Sequence, residues 1–193
     1  RMGSGGGFSI EFAADNLLRQ NQGTLVLETA TASGTTLGGT GGSNTGRVIV
    51  TNAVNTGLAR ASAVTNGIFP AHLIGADGSG SAFFLQNDAA TGFVAYSGPA
   101  IASPAGLNPT SIGNITADPL LSGANNSVYA LSTTSDISGG TLRVTAIDNV
   151  RMGGILINGS NTISSNLIFD PTSATAPGTG TTAEGLVYVK TGE

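Results

Sequence analysis

The stretch that decides the fold is SVYALSTTSDISGGTLRVTAIDNVRMGGILINGSNTISSNLIF, residues 127–169. Four apolar bursts stand in it, Ser127-Val128-Tyr129-Ala130-Leu131, Thr141-Leu142-Arg143-Val144-Thr145, Gly154-Ile155-Leu156-Ile157-Asn158 and Ser165-Asn166-Leu167-Ile168-Phe169. Each is too short for a helix, and each is bounded by Gly, Ser or Asn, residues that tolerate positive φ or bond their own backbone in turns. The bursts recur about every dozen residues and read as strands. A fifth, Leu186-Val187-Tyr188-Val189-Lys190, lies near the end of the chain.

Outward from this stretch the same texture continues. Period-2 patterning predicts strands at Phe8-Ser9-Ile10-Glu11-Phe12, Thr24-Leu25-Val26-Leu27-Glu28, Arg47-Val48-Ile49-Val50-Thr51, Ala71-His72-Leu73-Ile74, Ala82-Phe83-Phe84-Leu85 and Gly92-Phe93-Val94-Ala95-Tyr96. The only helix-like run, 16–20, is too short to stand alone in water. Residues 97–126 hold Pro99, Pro104, Pro109 and Pro119 and read as a Pro/Gly-rich loop or an irregular coil. The chain is read as all-β and as one domain over 1–193.

Two architectures place many short strands at this spacing, an antiparallel β-sandwich and a parallel β-helix. A sandwich face open to water alternates apolar with charged residues. Here the alternating positions are Ser, Thr and Asn, which stack into ladders along a solenoid. The β-helix is therefore the expected fold and the sandwich the alternative.

Composition excludes several functions. Charged residues are only 9% of the 193, the net charge is −4, and the seven basic residues are scattered singly, so no phosphate-binding footprint is present and nucleic acid is not an expected partner. No run approaches the roughly 18 apolar residues of a membrane helix. The Arg1 start and the strand close to the end lead us to read the chain as a segment of a longer protein.

Candidate chemistry is sparse. With no Cys and His72 as the single histidine, no structural zinc set exists. His72 sits in a strand-like context and reads as a strand residue. No Ser stands in a nucleophile elbow, and Gly78-Ser79-Gly80 reads as a turn. The acids, among them Asp77, Asp88, Asp118, Asp136, Asp148 and Asp170, form no tight sequence cluster, although Asp136 and Asp148 stand one coil apart and would be neighbours in a β-helix. Asp77-Gly78-Ser79 covers too little of a calcium loop. The glycine clusters at 3–7 and 38–42 precede no helix start and read as loops. No catalytic, cofactor or metal residue is assigned. The aromatics Phe83, Phe84, Phe93 and Tyr96 are the candidates for contact with a glycan, against the plainer reading that they fill a core. Phe8, Ile10 and Phe12 in the first strand, and Leu186, Val187, Tyr188 and Val189 in the last, are the candidates for self-association, because terminal strands offer unpaired edges.

The motifs LLRQNQGTLVL (17–27), RVIVTN (47–52), TNGIFPAHLIGADGSGSAFFLQNDAATGFVAYSG (65–98) and MGGILINGSNTISSNLIF (152–169) occur in an order that resembles the autotransporter-associated β-strand repeat proteins of bacteria. The resemblance spans most of the chain and is weakest over 97–126. It implies a right-handed parallel β-helix at or beyond the bacterial cell surface, serving as a rod, stalk or self-associating fibre. It carries no catalytic residues. Implied partners are other copies or adjacent repeats, with surface glycans as the alternative for an adhesin or carbohydrate-binding module, and a polysaccharide-degrading β-helix enzyme as a third reading.

Overall fold

A computed structural model describes residues 10–14, 23–29, 36–38, 45–50, 67–77, 80–88, 91–97, 106–117, 120–121, 126–145, 153–170 and 185–190. These residues are mostly β-strand, so the all-β expectation holds. The helix-like run 16–20 lies outside them. The chain divides into two compact units, Arg1–Ser97 with Gly192–Glu193, and Gly98–Thr191.

The first unit carries β1 (Ile10–Ala14), β2 (Leu25–Glu28), β3 (Thr36–Leu37), β4 (Thr45–Val50), β5 (Leu73–Ala76), β6 (Ala82–Asp88) and β7 (Gly92–Ala95). Two sheets result, ordered β1-β4-β3 and β2-β5-β6-β7. The first is parallel throughout, and β2 pairs parallel with β5. β5, β6 and β7 instead pair antiparallel, which departs from the all-parallel expectation. The cause is connection length. A parallel neighbour needs a connection long enough to run back along the strand, as the seven residues between β3 and β4 do, whereas only five separate β5 from β6 and three separate β6 from β7, lengths that suit hairpins. Both turns are tied locally. Asp77 Oδ1 accepts the Ser81 N–H at 2.9 Å, and Asp88 Oδ1 accepts both the N–H and the hydroxyl of Thr91 at 2.8 Å.

The core of this unit gathers Leu37, Val48, Phe69, Leu73, Leu85 and Phe93, with Leu27 and Phe83 packed against it. Phe69 and Phe93 meet at a centroid distance of 4.5 Å with a tilt of 44°, a favourable aromatic geometry. Gly92 permits the approach of the two sheets. Its φ is +80°, and a Cβ there would lie 2.2 Å from the Val48 carbonyl oxygen.

The second unit is built differently. Its strands are β8 (Ile112–Ile115), β9 (Asn126–Val128), β10 (Ala130–Thr133), β11 (Thr141–Thr145), β12 (Gly154–Asn158), β13 (Asn166–Asp170) and β14 (Leu186–Lys190). Successive strands alternate between two sheets, ordered β8-β10-β12-β14 and β9-β11-β13, and every pairing in both is parallel. Each strand is thus bonded to the strand two further on, which is not the pairing of an antiparallel sandwich. Between the sheets runs a third row of contacts, with parallel bridges Leu120↔Ser138 and Ile137↔Ile163. Asp136 Oδ1 reinforces it by accepting the Thr162 N–H at 2.6 Å.

Two readings of the sequence are corrected here. Residues 97–126, read as loop or irregular coil, contain β8, whose Gly113-Asn114 centre breaks the apolar period. Gly113 is needed there, since a Cβ would approach Leu131 Cδ1 to 2.6 Å. The single strand expected over 127–131 is two strands in different sheets, parted at Tyr129, where the chain turns from one sheet into the next.

That corner takes up nearly all the variation in length. One residue separates β9 from β10, residues 146–153 separate β11 from β12, and residues 171–185 separate β13 from β14. The opposite connections differ less: 116–125 has ten residues, and 134–140 and 159–165 have seven each. Neighbouring strands still stay in register. Ala130 lies opposite Ile112, 18 residues before it, Ile155 opposite Leu131, 24 before, and Leu186 opposite Gly154, 32 before. At the corner itself, Gly153 lies so close over Tyr129 that a Cβ would stand 1.6 Å from the Tyr129 carbonyl oxygen.

The aliphatic core follows from this register. Gly113, Leu131, Ile155 and Val187 form one ladder and Ile115, Thr133, Ile157 and Val189 another. Across from them stand Leu142 with Leu167, and Val128 with Val144 and Phe169. Ile115, Leu121, Val128, Leu131, Ile137, Leu142, Val144, Ile155 and Ile157 make up the core cluster, so these ladders face inward. Thr133 is the polar member. Its hydroxyl lies 2.7 Å from Ser135 O and 3.3 Å from Ile115 O and accepts the Ser135 N–H at 3.1 Å, which satisfies the buried group.

Candidate functional site: the uncovered end of the second unit

The inward ladders do not end alike. At the β8 end Ile115 is 1% exposed, although β8 is an outer strand of its sheet. A turn over 108–111 precedes it, and Leu107 packs against the core. The turn is held by Ser111 N–H to Asn108 O at 2.9 Å and by the Thr145 hydroxyl to Pro109 O at 2.9 Å. At the other end Val189, in the same ladder as Ile115, is 53% exposed, and Val187 is 45% exposed. Leu167 is 39% exposed, and Phe169 is half-buried with its ring under Gly185. Each valine so exposed forgoes on the order of 1 kcal/mol of burial.

The backbone of this end is also unfinished. β14 and β13 are the last strands in their sheets and have strand neighbours on one side only, among the described residues. Their sequences suit pairing. LVYVK has high β-propensity, no Pro or Gly, and one charge, Lys190. In the other sheet Arg143 and Asp170 form an ion pair between β11 and β13. The arrangement can bind another strand or a flat apolar surface.

Of the predicted self-association residues, Leu186, Val187, Tyr188 and Val189 form β14 at this end. Ile10 and Phe12 lie in β1, an outer strand of the first unit, and Phe8 lies outside the described residues. The two groups therefore belong to different units. Sequence reading missed Leu167, whose place at the end emerges only from its register opposite Leu142. The run Leu167-Ile168-Phe169, apolar on both faces of a strand, was the available signal.

The aromatic candidates for a glycan platform are not gathered on a surface. Phe84 and Phe93 are buried, Phe93 against Phe69, so their faces are closed to a sugar. Phe83 packs over Gly75 and Tyr96 over Gly67, both half-buried. Burial raises the Tyr96 phenol above its ordinary pKa of 10.0 and keeps it protonated.

His72 is half-buried, and its carbonyl oxygen accepts the Leu25 N–H at 2.8 Å. Asp77, Asp88 and Asp136 bind backbone N–H groups of turns and bridges. Asp118 and Asp148 lie outside the described residues, as do Gly3–Gly7 and 39–42 of the glycine clusters. Among the described residues no group of three His, Cys, Asp or Glu side chains could hold a metal ion, and no helix is long and apolar enough to cross a membrane.

Comparison with protein families, with curated proteins and with solved structures finds no match to this chain.

Proposed function

We propose that this chain is a non-catalytic structural segment of a bacterial cell-surface or extracellular protein, a rod or stalk whose second unit is a right-handed parallel β-helix. The observation that carries the reading is the alternation of strands between two parallel sheets, each strand bonded to the strand two further on. Three contact rows repeat in one order along the second unit, and this is how a solenoid winds. Right-handedness follows from the strong preference of parallel crossovers for that hand. The resemblance to autotransporter-associated β-strand repeat proteins supports the surface location, and the acids engaged in turns support a role without catalysis.

A rod of this kind works mechanically. Backbone hydrogen bonds run along the axis, so tension is shared by ladders of them rather than by side-chain contacts, and a cysteine-free chain draws its stability from these ladders and from packing. Pulling residues 98–191 from their two ends should release the unit in successive steps, each one coil long. Cooperative loss of the whole unit without such steps would count against the reading. For location, protease added to intact cells making the protein should cut it, and full protection would contradict a surface role.

A further inference from the structure

We propose that Asn158–Gly159 is a self-modification site gated by β14: paired with β12, β14 keeps the site closed, and once β14 leaves, the Gly159 nitrogen closes a ring on the Asn158 side chain. The chemistry needs only water. The Gly159 nitrogen bonds to Asn158 Cγ, the Cγ–Nδ2 bond breaks, and ammonia leaves with the amide proton. Water then opens the resulting succinimide at either carbonyl, giving aspartate or isoaspartate. Glycine is the follower that allows this most readily, because no Cβ hinders the approach of its nitrogen to the side chain before it. Asn158 and Gly159 are half-buried and Ser160 is exposed, so water reaches the pair.

Hydrogen bonds hold the two reacting groups apart in the folded chain. The attacking atom is engaged by β14, since the Gly159 N–H donates to Lys190 O at 2.8 Å, which keeps the proton on the nitrogen and fixes the peptide plane. The attacked group reaches the other way. Asn158 Nδ2 donates to Ser132 Oγ of β10 at 3.4 Å, and β10 and β14 flank β12 on opposite sides. Asn161 Nδ2 donates to the Asn158 carbonyl oxygen and ties the turn that follows. Departure of β14 removes the bond to Lys190 O and frees the Gly159 nitrogen to swing toward Cγ. The change is one-way. Aspartate at 158 would stand in register with Lys190, a carboxylate across from an ammonium group. Isoaspartate would add an atom to the main chain at the end of β12, so the Gly159 N–H would no longer meet Lys190 O when β14 returns. A coil that has opened is thereby marked, and in the isoaspartate form it is kept from closing in its old register. The inference goes beyond a structural role. It rests on the pairing of β12 with β14 and needs nothing of what lies beyond β14.

Incubation of the whole chain at mildly alkaline pH, folded and in urea, followed by proteolysis and mass spectrometry, tests the proposal. In urea Asn158 should convert to the acid, alongside Asn66, which also precedes a glycine and gauges the chemistry. In the folded chain conversion at Asn158 should be slower by about ten-fold or more, because it waits for β14 to open. Tyr188→Pro removes an N–H from β14 and should bring the rate at Asn158 in the folded chain toward that in urea. Should that variant unfold the whole unit, hydrogen exchange on the parent decides the matter. Across low urea concentrations, exchange of the Gly159 amide and conversion at Asn158 should quicken together. Conversion as fast in the folded chain as in urea would overturn the proposal. So would conversion that stays constant while Gly159 exchange quickens, or a chain in urea that converts Asn66 and spares Asn158.

Discussion

The two units solve the same problem, burying short apolar strands, in opposite ways. In the first, three- and five-residue connections force β5, β6 and β7 to reverse, and the core is closed by Phe69 and Phe93. In the second, every strand reaches its neighbour only after a pass through the other sheet, and the core is a set of aliphatic ladders. The difference teaches that connection length, more than strand composition, sets the pairing. A hairpin unit can close on itself. A laddered unit has ends, and among the described residues the β14 end leaves Val187 and Val189 exposed.

Substitutions can break or sharpen this contrast. The largest effect is expected at the corner of the laddered unit, where Gly153→Ala would force a Cβ to within 1.6 Å of the Tyr129 carbonyl oxygen. No rotamer relieves a backbone clash, so destabilisation above about 4 kcal/mol and loss of cooperative urea unfolding of this unit are expected. Gly159→Ala is the control. Its φ of +83° is costly, but the nearest atom is Asn161 Nδ2 at 3.4 Å, so about 1–2 kcal/mol should be lost. In the hairpin unit the sensitive position is aromatic. Phe93→Ala removes the ring stacked on Phe69 and should cost about 3–5 kcal/mol in the denaturant midpoint.

Smaller effects probe how the ladders are held. Thr133→Val keeps the shape but leaves the half-buried Ser135 N–H without its side-chain acceptor, an expected loss of about 1 kcal/mol by chemical denaturation. The smallest effect belongs to the variable corner. Doubling the length of 171–184 should cost only about 0.6 kcal/mol, the entropy of a longer closed loop. One residue added within 134–140 should cost far more, because it would slip β11 by one position and turn Leu142 and Val144 away from the core. Equal sensitivity of the two connections would remove the distinction between a fixed and a variable side.

Much of this was legible in the sequence, and the gaps have physical causes. β11, β12 and β14 coincide with the runs 141–145, 154–158 and 186–190, because β-rich strands flanked by Gly, Ser or Thr announce their own ends. β8 was hidden because Gly113 is demanded by contact with Leu131, a residue 18 positions away, and no local pattern reports such a contact. The junction at Tyr129 was hidden because one residue turns the corner there, with no Gly or Pro to mark it. No constant repeat length is visible, since changes in connection length, largest at one corner, take the spacing from 18 to 24 to 32 while the register persists. Of the candidate residues, β14 was found because a terminal strand is recognisable, whereas Leu167 required knowledge of its partner. Phe83 and Phe84 show the converse. Adjacent aromatics promise one exposed ring, yet Gly75 receives one and the interior the other.

The central claim is that each strand of the second unit pairs parallel with the strand two further on, and inter-strand proton contacts in NMR test it most directly. Leu131 should show backbone contacts to Gly113 on one side and to Ile155 on the other, in the evenly spaced Hα-to-amide pattern of parallel strands. Close Hα-to-Hα contacts between β10 and either neighbour, the mark of antiparallel pairing, would contradict the account.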